Sequence, residues 1–188
     1  MKKGIFLTAL FLFVSAGLLN ADVLKYSKEI GSIKLNVPED KILRNYLGIK
    51  QKEGQFSIPE IRQGILIVEI FNMYCPHCQH YAPKVNELYT RINARADTKG
   101  RVMMLGIGVG NSPFEVNIFR KKYDVAFPLF DDKAYSVANK LEGVLTPHFF
   151  GMILDGKGGY RVFYSQNGGF ENADEFLNSL LKLTSGIK

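Results

Sequence analysis

Residues 65–83 read Ile-Leu-Ile-Val-Glu-Ile-Phe-Asn-Met-Tyr-Cys-Pro-His-Cys-Gln-His-Tyr-Ala-Pro. The first seven are nearly continuous apolar residues rich in β-branched side chains, interrupted only by Glu69. Such a run suits a central strand covered on both faces. A helix is expected from Cys75 to about Ala94, with Pro76 in the first turn, where its missing N–H costs nothing. Pro83 falls inside that helix and is expected to kink it. A buried strand therefore feeds a helix, and both cysteines of the chain, Cys75 and Cys78, stand at the junction.

Working outward, 101–109 reads as a second buried strand. Ser112 is placed to cap a helix through Tyr123, with Pro113 at its first position. A short strand over 127–130 and a short helix over 133–141 follow. Thr146-Pro147 leads into a strand over 148–154. Asp155-Gly156-Lys157-Gly158 turns it back as a hairpin into 160–165. Asn172 and Glu175 cap a last helix over 173–183. Before the central strand, pieces at 33–37, 46–49 and 55–58 look strand-like, and a hairpin is expected there. Strands alternating with helices, closed by a hairpin and a helix, predict an α/β sandwich around a mixed sheet.

The chain has 188 residues and a formal net charge of +6. That length fits one domain with an extension, large enough to bury a core without staples. Lys2 and Lys3 precede an apolar run to Leu19, with small or polar residues after it. This is the pattern of a secretory signal, cut after Ala21. The alternative is an uncleaved anchor, for which the run is short. Losing residues 1–21 removes two charges and leaves +4. The remaining lysines and arginines are scattered, with no stripe or interleaved aromatic pattern for nucleic acid. The expected layout is a signal peptide at 1–21, an N-terminal extension at 22–54 and the main domain at 55–188.

An exported protein lives where disulfides persist. A bridge between Cys75 and Cys78 closes so small a loop that it adds little stability, so a purely structural role is a poor use of the pair. Cysteines at i and i+3 on a helix have Cβ atoms about 5–6 Å apart, close enough to bridge with modest adjustment. Cys75, at the helix start, faces unpaired N–H groups and the positive end of the dipole. The dipole contributes roughly 0.3–1 kcal/mol, up to about 2, and one pKa unit is about 1.4 kcal/mol. The Cys75 thiol should thus ionise about one unit below the roughly 8.5 of a free thiol. His77, between the cysteines, can add a positive or N–H-bearing ring. Cys78, one turn deeper, is the shielded partner. The pair itself can carry two electrons, so no bound cofactor is needed.

Rival chemistries fit less well. Covalent haem attachment needs His directly after the second cysteine, where Gln79 stands. Zinc normally takes four closed ligands. Copper(I), which soft thiolates select, is the stronger metal rival; a copper(I) chaperone would use Cys75, Cys78 and a histidine from His77, His80 or His148. Peroxide reduction is disfavoured by Asn72, where a threonine three before the cysteine would be wanted.

Residues 67–83 resemble the active-site segment of thioredoxin-fold thiol-disulfide oxidoreductases. The Cys-Pro-His-Cys choice resembles that of the DsbA family. Glu69 lies six before Cys75, where that fold places a buried acid. Pro83 lies eight after it, where the fold's helix is kinked. Thr146-Pro147 matches the cis-proline loop facing the disulfide. The outer chain, "GQFSIPEIRQGILIVEIF" and "FRKKYDVAFPLFDDKAYSVANKLEGVLTPHFF", resembles TlpA-like redoxins, which carry an extra strand and helix before the cis-proline. The resemblance covers about 55–183. It implies that Cys75 exchanges with substrate and Cys78 resolves the mixed disulfide. It further implies that Glu69 relays a proton to or from Cys78, that Pro76 and His77 tune the couple, and that cis-Pro147 keeps the loop open to an extended peptide. The implied partners are protein thiols or disulfides and a membrane redox protein that resets the pair, in a periplasm; the direction of electron flow is open.

Overall fold

A computed structural model describes residues 25–186; the expected signal segment at 1–21 lies outside them. Its centre is a five-stranded mixed sheet in the order β5-β4-β3-β6-β7. β3 (Gly64–Phe71) is flanked by β4 (Val102–Val109) in parallel and by β6 (His148–Leu154) in antiparallel. β5 (Leu129–Asp132) extends the parallel side, and β7 (Tyr160–Asn167) closes the other as a hairpin with β6. A separate two-stranded ribbon pairs β1 (Lys34–Asn36) with β2 (Gln55–Ser57). This is a thioredoxin-like sandwich, with β5 and α5 (Ser136–Lys140) as the strand-helix insertion before the cis-proline loop.

The two-residue period of β3 sorts its side chains between two cores. Leu66, Val68 and Ile70 enter one cluster with Ile30, Leu35, Leu47, Phe56 and Phe150. Ile65, Ile67 and Phe71 enter the other with Cys78, Val85, Leu88, Phe149 and Leu177. The second is built by α3 (Pro76–Ala94), α4 (Pro113–Lys122) and α6 (Ala173–Thr184). The first is covered by residues 25–61, with α5 beside them. Fully burying one such aliphatic or aromatic side chain is worth about 1.5–3 kcal/mol, which is why β3 reads as an unbroken apolar run.

The covering segment differs from the sequence expectation. Residues 25–31 are helical (α1), with Tyr26 and Ile30 turned into the core. The strand expected over 46–49 does not form; Tyr46 and Leu47 are instead the end of a helix, α2 (Lys41–Leu47). The Asp40 side chain accepts the Ile42 N–H at its start, and Gly48, at φ 74°, ends it in the left-handed region, where glycine carries no Cβ penalty. β1 and β2 therefore pair across an intervening helix and not through a tight hairpin. β5 lies two residues later than expected, and α5 spans only five residues because Asp132 takes over its start. Its buried carboxylate accepts the N–H groups of Val137 and Ala138 and the Ser136 hydroxyl.

Candidate active site

The site lies where β3 ends and α3 begins. Cys75 is the N-cap of α3, with extended backbone angles (φ −73°, ψ 118°). The turn before it is held from two sides. Asn72 donates its side-chain amide to the Val109 carbonyl at 2.8 Å and accepts the Tyr74 N–H at 2.8 Å. Asn111, fully buried just past β4, accepts the Met73 N–H at 2.8 Å. Gln79 closes the turn from the helix side by donating to the Met73 carbonyl at 2.8 Å. The loop's polar groups thus anchor to the ends of two parallel strands, which fixes where the helix starts.

The two sulfurs have opposite surroundings. Cys75 is partly exposed; Cys78 is 0% exposed. Burial disfavours the Cys75 thiolate, but several donors outweigh it: the Thr146 side chain, the backbone N–H groups of Cys78 and His77, and the Cys78 thiol. The Cys75 thiol is held below its ordinary value. In the thiol form Cys75 instead donates to the Thr146 carbonyl at 3.3 Å. Cys78 is pushed far up by burial, with Cys75 and Glu69 adding to the shift and only the Asn72 backbone opposing it. One thiol is poised to ionise, and its neighbour, one helical turn on, is kept protonated.

Glu69 is 2% exposed, on the β3 face that carries Ile67, Phe71 and the cysteine helix. Burial raises its carboxyl to about 8. Its charge also bears on Cys78, adding to the rise of that thiol.

The Thr146–Pro147 peptide is cis, and the loop brings Thr146 to Cys75. Pro76 and His77 are exposed at the helix tip; it is the His77 backbone N–H that meets the Cys75 sulfur. Tyr74 is 64% exposed and donates its hydroxyl to Glu115 at the start of α4. Phe71 is wholly buried, stacked on Phe119. Leu145 (69% exposed) and Phe114 (72%) add apolar surface near the same end. A histidine third to the two sulfurs is what a copper(I) site would need. His80 is exposed, and both ring nitrogens of His148 have hydrogen-bond partners. Among the described residues no group of three or more His, Cys, Asp or Glu converges to hold a metal ion.

Asn72, Gln79, Asn111 and Glu115 were not visible as site residues from sequence. Only Glu115 had a signal, as the third residue after the Ser112 cap, and it does complete a reciprocal capping box.

No curated protein matches the sequence. Among solved structures, the chain is similar to a secreted Mycobacterium tuberculosis disulfide oxidoreductase homologous to E. coli DsbE (TM-score 0.53, 16% identity, covering 69% of this chain and 90% of that one). It is likewise similar to MTB DsbF (TM-score 0.52, 21% identity, 70% and 90%) and to StoA from Bacillus subtilis (TM-score 0.53, 16% identity, 69% and 90%). At these identities the likeness concerns the fold. The AhpC/TSA family is matched over residues 36–163, a span that holds β3, both cysteines, Glu69 and the cis-proline, and the chain belongs to that family.

Proposed function

We propose that this protein is an exported thiol-disulfide oxidoreductase acting on protein substrates through Cys75 and Cys78. The observation that carries the reading is the asymmetry of the pair: an accessible thiol held below its ordinary value beside a buried one held above it. The thiolate is the reactive form. In the reducing direction, the Cys75 thiolate attacks one sulfur of a substrate disulfide. A Cys75–substrate disulfide forms, and the other substrate sulfur leaves as a thiolate that takes up a proton. Cys78 attacks Cys75 as it gives up its proton, which Glu69 takes in the fraction of molecules where its carboxyl, raised to about 8, is ionised. The Cys75–Cys78 bond forms as the Cys75–substrate bond breaks, the substrate sulfur that was first attacked leaves as a thiolate and takes up a proton, and two electrons have passed from the pair to the substrate. Oxidation of a substrate dithiol is the same sequence reversed.

The rim of Tyr74, Phe114 and Leu145 supports a polypeptide substrate over a small thiol. The Cys-Pro-His-Cys sequence supports a DsbA-like site, on a scaffold that resembles TlpA-like redoxins. The pattern of residues 1–21 supports export to a periplasm, where a membrane redox protein would reset the pair. The Mycobacterium tuberculosis neighbour is itself described as secreted.

The test is direct. The protein should turn over a scrambled disulfide protein catalytically. Cys78→Ala should accumulate a mixed disulfide at Cys75, seen as a mass adduct lost on reduction. Absence of both turnover and adduct would refute the proposal.

A further inference from the structure

The cis-proline loop is held by a polar cluster that the chemistry above does not use. His148 and Asn167 lie opposite each other where β6 and β7 begin and end. The Asn167 side-chain oxygen accepts the Leu145 N–H at 3.2 Å and lies 2.6 Å from His148 Nδ1. Gly168, at φ 86°, donates its N–H to the Pro147 carbonyl at 2.8 Å. The residues on either side of Thr146 are therefore both tied to the end of β7.

The chemistry of the cluster is determined by one donor. A backbone N–H such as that of Leu145 can only donate, so the Asn167 atom facing it is the oxygen. An amide oxygen can only accept, so His148 Nδ1 carries the proton. Ser165 Oγ lies 2.9 Å from Nε2, and its hydroxyl can donate to or accept from that nitrogen. His148 is 3% exposed, with its ring centroid 4.3 Å from that of Phe150 and Tyr26 edge-on at 6.1 Å. The ring is fixed by packing on its faces and by hydrogen bonds at its nitrogens. A fixed ring holds the Asn167 amide, and the amide holds Leu145.

We propose that Asn167 and His148 are positioning residues, setting the Thr146–Pro147 loop against Cys75 at the distance that thiol-disulfide exchange requires. Thr146 has two uses for that distance. Its carbonyl takes the Cys75 thiol at 3.3 Å, and its side chain favours the thiolate. Loosening Leu145 and Pro147 lets both drift. An ångström of drift is enough to lose a hydrogen bond or to slow a reaction by about 100-fold.

The inference rests on Cys75 being the exchanging sulfur, so its test reads Cys75 without a protein substrate. The rate of Cys75 alkylation by iodoacetamide is followed against pH in Asn167→Leu, which keeps the shape and removes the acceptor. It is compared with Asn167→Asp, which keeps an acceptor. Asn167→Leu is expected to move the alkylation midpoint up by about half a pH unit or more. It should lower kcat/KM toward a disulfide peptide about tenfold, and Asn167→Asp should restore most of both. His148→Phe, which keeps the packing against Phe150 but frees Asn167, should give a smaller shift in the same direction. Should Asn167→Leu fail to fold, His148→Phe alone decides. A folded variant with both the alkylation profile and kcat/KM unchanged overturns the proposal. A normal profile shift in a chain that never turns over protein disulfides would instead refute the function proposed above and leave the clamp standing.

Discussion

Replacing Glu69 with glutamine should stabilise the protein, and by an amount that grows with pH. The carboxyl ordinarily titrates near 4.5 and is raised by burial to about 8 in the folded chain. Between those values the folded protein keeps a proton that the unfolded chain has released, so stability falls as pH rises. It is complete below about 4.5 and fully lost above about 8. Integrating over the two titrations, with about 1.4 kcal/mol per pKa unit, the penalty is about 1 kcal/mol at pH 5, about 3 at pH 7 and about 4–5 at pH 8.5. Glutamine does not titrate and removes this slope. Burying its amide adds a cost of its own, independent of pH, so the slope is the readout and not the absolute stability. Urea unfolding of the fully reduced proteins at the three pH values measures it, with the same thiols titrating in both. The difference in unfolding free energy between Glu69→Gln and the unaltered protein should rise by about 3 kcal/mol or more from pH 5 to 8.5. The same substitution removes the group proposed to take the proton from Cys78. Turnover should fall by about 100-fold, the size typical of a lost general base. A stability difference flat across this range would mean that Glu69 does not hold a proton in the fold, and the relay assigned to it would fail with it.

Two further outcomes follow from the same structure. In the native reduced protein, iodoacetamide should label Cys75 with a pH midpoint below that of a free thiol and leave Cys78 untouched until urea opens the fold; equal labelling of both, read by peptide mass, would contradict the asymmetry of the pair. Phe56→Ala should cost about 3–5 kcal/mol, because Phe56 is fully buried with its ring centroid 5.7 Å from that of Phe130; a loss below about 1 kcal/mol in urea unfolding would mean that residues 25–61 are not part of the cooperative core.

The site's chemical residues were legible because each carries a local signal. Cys75, Pro76 and Cys78 sit at a helix start; Glu69 is the lone charge in an apolar strand, and Thr146-Pro147 breaks the chain just before another. The residues that hold them in place were not. Asn111 reaches Met73, and Asn167 reaches Leu145, across 38 and 22 positions of sequence. Such bonds depend on which strand ends lie side by side, and no local pattern encodes that. The covering segment was misread for a different reason. Residues 46–49 alternate weakly enough to pass for a strand, while the helix over 41–47 is signalled only by Asp40 and Gly48 taken together, as its start and its stop. The shortening of α5 traces to the Asp132 carboxylate, which accepts the first N–H groups of the helix.

Cys78 is walled in by a cluster that includes Leu177 and Leu180 of α6, the final helix of the described chain. Synthesis delivers the sulfur roughly a hundred residues before the helix that completes its enclosure. Before α6 docks, that part of the wall is missing, and the contrast between a reachable and a sealed sulfur is weaker. A chain cut short before residue 173 lacks that wall and should be marked by cross-linking through Cys78 as well as Cys75.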